Sequence, residues 1–211
     1  MVFKYKSISV LILASMAFTT LVYEYYRKRK QPQITKKKET EIHEVIMFSP
    51  NDVQLKKSKY SRCAITTSMD RILYYLSSPK HNLDICMYVL TNMDLAHAII
   101  KLTYRRINVR VIMDADMAFS QGSALKRLES HNIPVRWMKS TNLMHHKFCL
   151  IDTMDESGLT TPVVISGSLN WTNQALSGNW EDVIVTSQPS IVQQYKNEFE
   201  KLWTQFKPIG L

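Results

Sequence analysis

Residues 144–152 read Met-His-His-Lys-Phe-Cys-Leu-Ile-Asp, and this stretch decides how the rest of the chain is read. The apolar run Phe148–Ile151 predicts a buried strand over His145–Asp152. Side chains alternate between faces along a strand, so His145 and Lys147 project to one side and His146 to the other. Asp152 has the opposite parity and ends the strand, which predicts a structural role. An imidazole beside an ammonium suits phosphate chemistry: a ring nitrogen attacks phosphorus, and the cation neutralises phosphoryl oxygens.

Toward the C-terminus, the strand Val163–Ser166 leads into Ser166-Gly167-Ser168-Leu169-Asn170-Trp171-Thr172. A Gly-Ser turn carrying Ser168 and Asn170 offers hydrogen-bond donors to a phosphoryl group. Asn179-Trp180-Glu181 then places a carboxylate eleven residues after Asn170. There it would bond the second imidazole nitrogen of His145, fix the tautomer and leave the other nitrogen free to attack.

Around this core, short strands alternate with helices from residue 42 onward. Strands are predicted at Ile42–Phe48, over Leu83, Ile85, Met87 and Val89, at Val109–Asp114, at Val135–Met138 and at Val183–Thr186. Helices are predicted over Thr66–Leu76, from Leu95 to Ile107, and over Ser123–His131. A final helix carries Ile191, Tyr195, Phe199, Leu202 and Phe206 on its buried stripe, with Ser187 as N-cap and Pro189 in its first turn. The pattern predicts an α/β fold with a mixed central sheet flanked by helices on both faces. No internal repeat is visible.

The formal net charge of +9 over 211 residues looks like a nucleic-acid signature until it is mapped. Residues 1–38 hold nine basic side chains and one acid, leaving 18 basic and 17 acidic groups, a net of +1, for the rest. The global charge is therefore no evidence for a basic binding face. Three cysteines without CxxC spacing exclude a disulfide framework and point to a reducing compartment.

Ser7–Tyr23 carries no charge and, as a helix, would span about 26 Å, the short end of what crosses a hydrocarbon core. Tyr23, Tyr25 and Tyr26 follow at interface depth, and Arg27-Lys28-Arg29-Lys30 opposes translocation of what comes next. A signal anchor with the rest in the cytosol fits better than a cleaved signal or an amphipathic targeting peptide. The expected organisation is a tail at 1–6, a transmembrane anchor at 7–23, a basic tether at 24–41 and a catalytic domain at 42–211.

H-x-K-x4-D, followed by G-S-x-N and a carboxylate eleven residues on, resembles the phospholipase D superfamily. The longer strings MHHKF and GSLNWT, the single motif copy and the N-terminal anchor make the chain similar to the mitochondrial phospholipase D / Zucchini family. The resemblance implies catalytic His145, Lys147 and Asp152, the last completing the motif. It also implies phosphate-binding Ser168 and Asn170 and an orienting Glu181. It implies a tether to the mitochondrial outer membrane with the domain facing the cytosol. The implied substrates are single-stranded RNA, cut by an endoribonuclease of Piwi-interacting RNA biogenesis, or cardiolipin, hydrolysed to phosphatidic acid. RNA is favoured, on resemblance alone. One departure is that Ser49–Ala64 holds only Cys63 and no His, so the family's Cys/His zinc element is expected to be missing. No metal or other cofactor is expected.

Superfamily chemistry needs two histidines, one to attack phosphorus and one to protonate the leaving oxygen, and this chain has one H-x-K. A two-fold homodimer would supply both. Blander readings stand beside these. His146 reads as a core or interface residue, Cys149 as a buried strand cysteine, and Asp114 and Asp116 as turn or cap residues. Trp171 and Trp180 read as packing under the site. Arg105, Arg106, Arg110 and Lys126 form either a basic stripe or a solvated helix face. A membrane-tethered scaffold that has lost catalysis is the remaining alternative.

Overall fold

The computed structural model describes residues 14–27, 41–52 and 54–208. Residues 1–38 form one compact unit and Glu39–Leu211 another. In the first, residues 14–27 form helix α1. The first part of the expected anchor, residues 7–13, and most of the tether, residues 28–40, lie outside the described residues. Among the described residues no helix is long and apolar enough to cross a membrane.

The second unit is built on an eight-stranded sheet in the order β1-β9-β8-β7-β4-β5-β6-β10. Its strands are β1 (His43–Phe48), β4 (Asn82–Met87), β5 (Asn108–Met113), β6 (Val135–Trp137), β7 (Lys147–Ile151), β8 (Val163–Gly167), β9 (Glu181–Thr186) and β10 (Lys207–Pro208). Strands β4, β5 and β6 run parallel, and every other pairing is antiparallel, so the sheet is mixed as expected. A small hairpin of β2 (Leu55–Lys56) and β3 (Ile65–Thr66) precedes helix α2 (Thr67–Ser77). Thr66 caps α2 by accepting the Met69 amide at 3.2 Å.

Both faces of the sheet are covered. Ile85, Val111, Cys149, Ile165 and Val185 pack on one side against α2, α3 (Met93–Tyr104), α5 (Leu125–Glu129) and α6 (Asn173–Ser177). Cys86, Ile112, Phe148, Leu150 and Val164 pack on the other against α7 (Pro189–Gln205), through Val192, Phe199 and Leu202. The alternation that assigns Phe148 and Cys149 to opposite cores follows from the two-residue period of a strand. Among the described residues, α4 (Ala115–Ala118), α6 and β10 are short elements without enough periodicity to be read in advance.

Two expectations about α7 and the basic stripe need correcting. Gln188, not Ser187, precedes α7 and gives no side-chain cap; Ser187 Oγ instead accepts the Ile42 amide at 2.8 Å, tying the entry of β1 to the end of β9. Pro189 does occupy the first turn. Arg110 is no part of an exposed stripe. It is nearly buried on the α7 side, donating to both oxygens of Asp84 at 2.7 and 2.9 Å and to Glu200 at 2.6 Å, with its guanidinium over the Phe199 and Trp203 rings. Burial raises the Asp84 carboxyl above its ordinary range, while the Arg110 guanidinium opposes that shift.

Candidate active site

The ends of three strands meet where the motif begins. Lys147 opens β7, Gly167 closes β8 and Glu181 opens β9. Phe148 pairs with Ser166, and Gly167 pairs with Val183, so the three ends are neighbours by register. Gly167 is required here by close approach: a Cβ at this position would collide with the Asp182 carbonyl oxygen.

Strand β7 starts two residues later than its expected start, so His145 precedes the ladder and is exposed. The Lys147 ammonium reaches back to it, 3.2 Å from Nδ1, 3.3 Å from Nε2 and 2.9 Å from the His145 carbonyl oxygen. Burial lowers the Lys147 pKa, and the Glu181 carboxylate works against that shift. His146 points the other way, as strand parity requires, with its ring against Phe148 and Nε2 3.9 Å from Glu198 of α7.

Ser168 Oγ donates to Glu181 Oε2 at 2.5 Å and accepts the Asp182 amide at 3.1 Å. The other carboxylate oxygen of Glu181 accepts from Asn179 Nδ2 at 2.9 Å. Glu181 is therefore committed to Ser168 and Asn179 rather than to the imidazole it was expected to orient. Asn170 follows the same turn and is half-buried, and its Oδ1 is buried with no hydrogen-bond partner among the described residues.

Asp152 is not in this cluster. It follows the last residue of β7, five residues beyond Lys147 and about 17 Å along the chain direction. Its Oδ1 accepts the backbone amides of Lys80, His81 and Asn82 at 2.9, 2.8 and 3.3 Å, holding the turn that enters β4. Its φ of 54° places it in the left-handed region, which Asp tolerates better than most residues. The motif's third member, which the resemblance sets beside His145 and Lys147 as catalytic, thus stands apart from them and anchors the turn into β4.

Tyr88 was not anticipated. Its ring centroid lies 4.6 Å from that of His145, the Lys147 ammonium stands 5.3 Å over its ring, and its amide donates to the His146 carbonyl at 2.9 Å. The signal available was its place just after a parallel strand, where α/β proteins put site residues. Trp171 is buried, as packing requires, but Trp180 is 70% exposed beside Glu181 and packs under nothing. Cys149 is a buried strand thiol with its pKa pushed up by desolvation. Among the described residues no cluster of three or more His, Cys, Asp or Glu could hold a metal ion.

Comparison with known proteins gives this arrangement a lineage. The family model described as "Cardiolipin synthase, PLD-like domain" matches residues 72–203, which contain every residue discussed above from Tyr88 to Glu181. The chain belongs to the phospholipase D superfamily. This is a superfamily of phosphodiesterases, and the chain is one of its enzymes. The superfamily relatives include the mitochondrial cardiolipin hydrolase of Xenopus laevis, 32% identical over 204 residues, covering 93% of this chain and 89% of that protein. The protein of the same name from Chlamydomonas reinhardtii is 38% identical over 141 residues, covering 67% of this chain and 60% of that one. Among solved structures, the phospholipase D family member Nuc from Salmonella typhimurium superposes with a TM-score of 0.65 at 18% identity. It covers 82% of this chain and all of its own. NucT from Helicobacter pylori gives 0.64 at 19% identity, covering 81% of this chain and all of its own. These two establish the shared fold.

Proposed function

We propose that this chain is a membrane-tethered phosphodiesterase that works through a phosphohistidine on His145, with cardiolipin as its substrate. The observation that carries the reading is the ammonium of Lys147 set against the His145 ring, beside the coupled Ser168 and Glu181. The ammonium stands within hydrogen-bond distance of the ring, where it can neutralise an oxygen of a phosphoryl group that the imidazole attacks.

One ring nitrogen of His145 attacks phosphorus, forming an N–P bond as the P–O bond to the leaving alkoxide breaks. The leaving oxygen takes a proton from the partner's His145, which a two-fold homodimer brings to the same phosphate. That imidazole, now neutral, deprotonates water; the hydroxide attacks phosphorus, the N–P bond breaks and phosphatidic acid is released. Lys147 and the Asn170 amide neutralise charge on the phosphoryl oxygens. Glu181 acts indirectly, fixing the Ser168 hydroxyl and holding the Lys147 proton in place. Asp152 holds the far end of β7.

The names of the relatives support a lipid substrate. So do the exposed apolar side chains next to the site residues in sequence or register: Trp180, Leu143, and Met47, which pairs with Asp182. Arg105, which donates to the carbonyls of Ser77 and Pro79, and Arg110 are both committed within the protein and are not free for a phosphate backbone. An anchor over residues 7–23 at the mitochondrial outer membrane would hold the domain against its substrate. Single-stranded RNA is the second reading, favoured by the exposed Trp180 indole, which offers a face for base stacking.

Full-length protein incubated with cardiolipin liposomes and, separately, with single-stranded RNA tests both readings. Phosphatidic acid release that vanishes in His145→Ala is the expected result. Wild-type turnover in that variant overturns the mechanism. RNA cleavage with cardiolipin untouched moves the substrate to nucleic acid, and inactivity on both leaves a scaffold.

A further inference from the structure

His145 lies outside the sheet. The first ladder pair of β7 is Met87 with Lys147, so strand pairing does not fix the residue that carries the chemistry. Its neighbours on either side are fixed instead. The His146 carbonyl accepts the Tyr88 amide at 2.9 Å, and the Met144 amide donates to Asp114 Oδ2 at 3.0 Å. Met144 is itself buried, its sulfur 3.3 Å from Cys86 Sγ.

Asp114 is 5% exposed and uses both oxygens. Oδ1 caps α4 by accepting the amides of Asp116 and Met117 at 3.1 and 3.3 Å, while Oδ2 alone reaches the loop that carries His145. A cap needs one oxygen, and Ser or Asn supplies it as well as Asp does. The second oxygen is what the cap leaves unexplained.

We infer that Asp114 is a positioning residue for His145, acting through the Met144 amide; this deepens the proposed mechanism and rests on it. The carboxylate ties the end of β5 to the residue before the nucleophile, so the imidazole is held from β5 on one side and from the end of β4 on the other. Loss of the Oδ2 contact frees the 139–146 loop to shift while α4 stays capped, and a displacement of about 1 Å at a reacting group costs on the order of 10²-fold in rate.

The test compares Asp114→Ser and Asp114→Asn, both of which keep an N-cap and lack the second acceptor, in the full-length protein. Phosphatidic acid release from cardiolipin liposomes is the readout. Expected is a kcat lowered by about 10- to 100-fold with KM within about twofold of wild type and thermal unfolding close to it. Wild-type kcat in both single variants overturns the inference, as does an unchanged kcat with a raised KM. A His145→Ala protein that turns over at full rate defeats the phosphohistidine mechanism instead, a result separate from any effect at Asp114.

Discussion

The Lys147 ammonium nitrogen sits 3.2 Å from His145 Nδ1 while its pKa is lowered by burial and supported by the Glu181 carboxylate. A lysine with a depressed pKa loses its proton at lower pH than a free one. The alkaline limb of kcat/KM should therefore fall below pH 10.5, the ordinary lysine value. Removing the opposing carboxylate with Glu181→Gln takes away the interaction that raises the pKa, so the limb moves further down. A pH–rate profile of the two proteins checks this, and an upward shift in Glu181→Gln contradicts the assignment.

Asp152 answers to stability rather than chemistry. Asp152→Ala leaves three backbone amides without their acceptor and puts Ala at φ 54°, a loss of about 2–4 kcal/mol. Asp152→Asn keeps an acceptor oxygen and tolerates the left-handed backbone, so about 1 kcal/mol is expected. Denaturant unfolding measures both. Turnover per folded molecule should stay at the wild-type level in each.

Arg110→Met strands Asp84 in the core between the sheet and α7. Removing one partner of a buried pair typically costs about 3–5 kcal/mol. The Asp84 carboxyl, already raised by burial, rises further without the guanidinium. A carboxyl whose folded pKa exceeds its unfolded one loses stability as pH rises through the folded value. The deficit of Arg110→Met should accordingly be larger at pH 7 than at pH 4 in paired unfolding curves.

Gly167→Ala drives a methyl into the Asp182 carbonyl where β8 meets β9. The strands must part there, and the Ser168–Glu181 bond at 2.5 Å is the nearest side-chain contact to give way. Lower thermal stability together with a loss of kcat is expected, whereas Gly178→Ala, which meets mainly the flexible Gln174 side chain, should cost less.

The sheet and its two helical layers were legible because strands of four to six residues carry nearly continuous apolar runs, and α2, α3 and α7 have clear stripes. Lys147, Ser168 and Glu181 converge because each stands at a strand end, and strand ends are readable. The start of β7 was not: periodicity extends through His145, but hydrogen bonding begins only at Lys147. The partner of Glu181 was hidden for a different reason. Both Ser168 and His145 are in reach of a carboxylate by residue type, and only the β8–β9 register brings Ser168 to it. Tyr88 and the second bond of Asp114 depend on loop paths, which leave no periodic trace.

Strand β1, the first of the sheet to be synthesised, pairs with β9, one of the last. A nascent chain halted before residue 181 thus lacks both the strand that closes the sheet and the carboxylate that restrains Ser168. A polypeptide ending there keeps His145 and Lys147 yet leaves β1 and β8 without the strand that joins them.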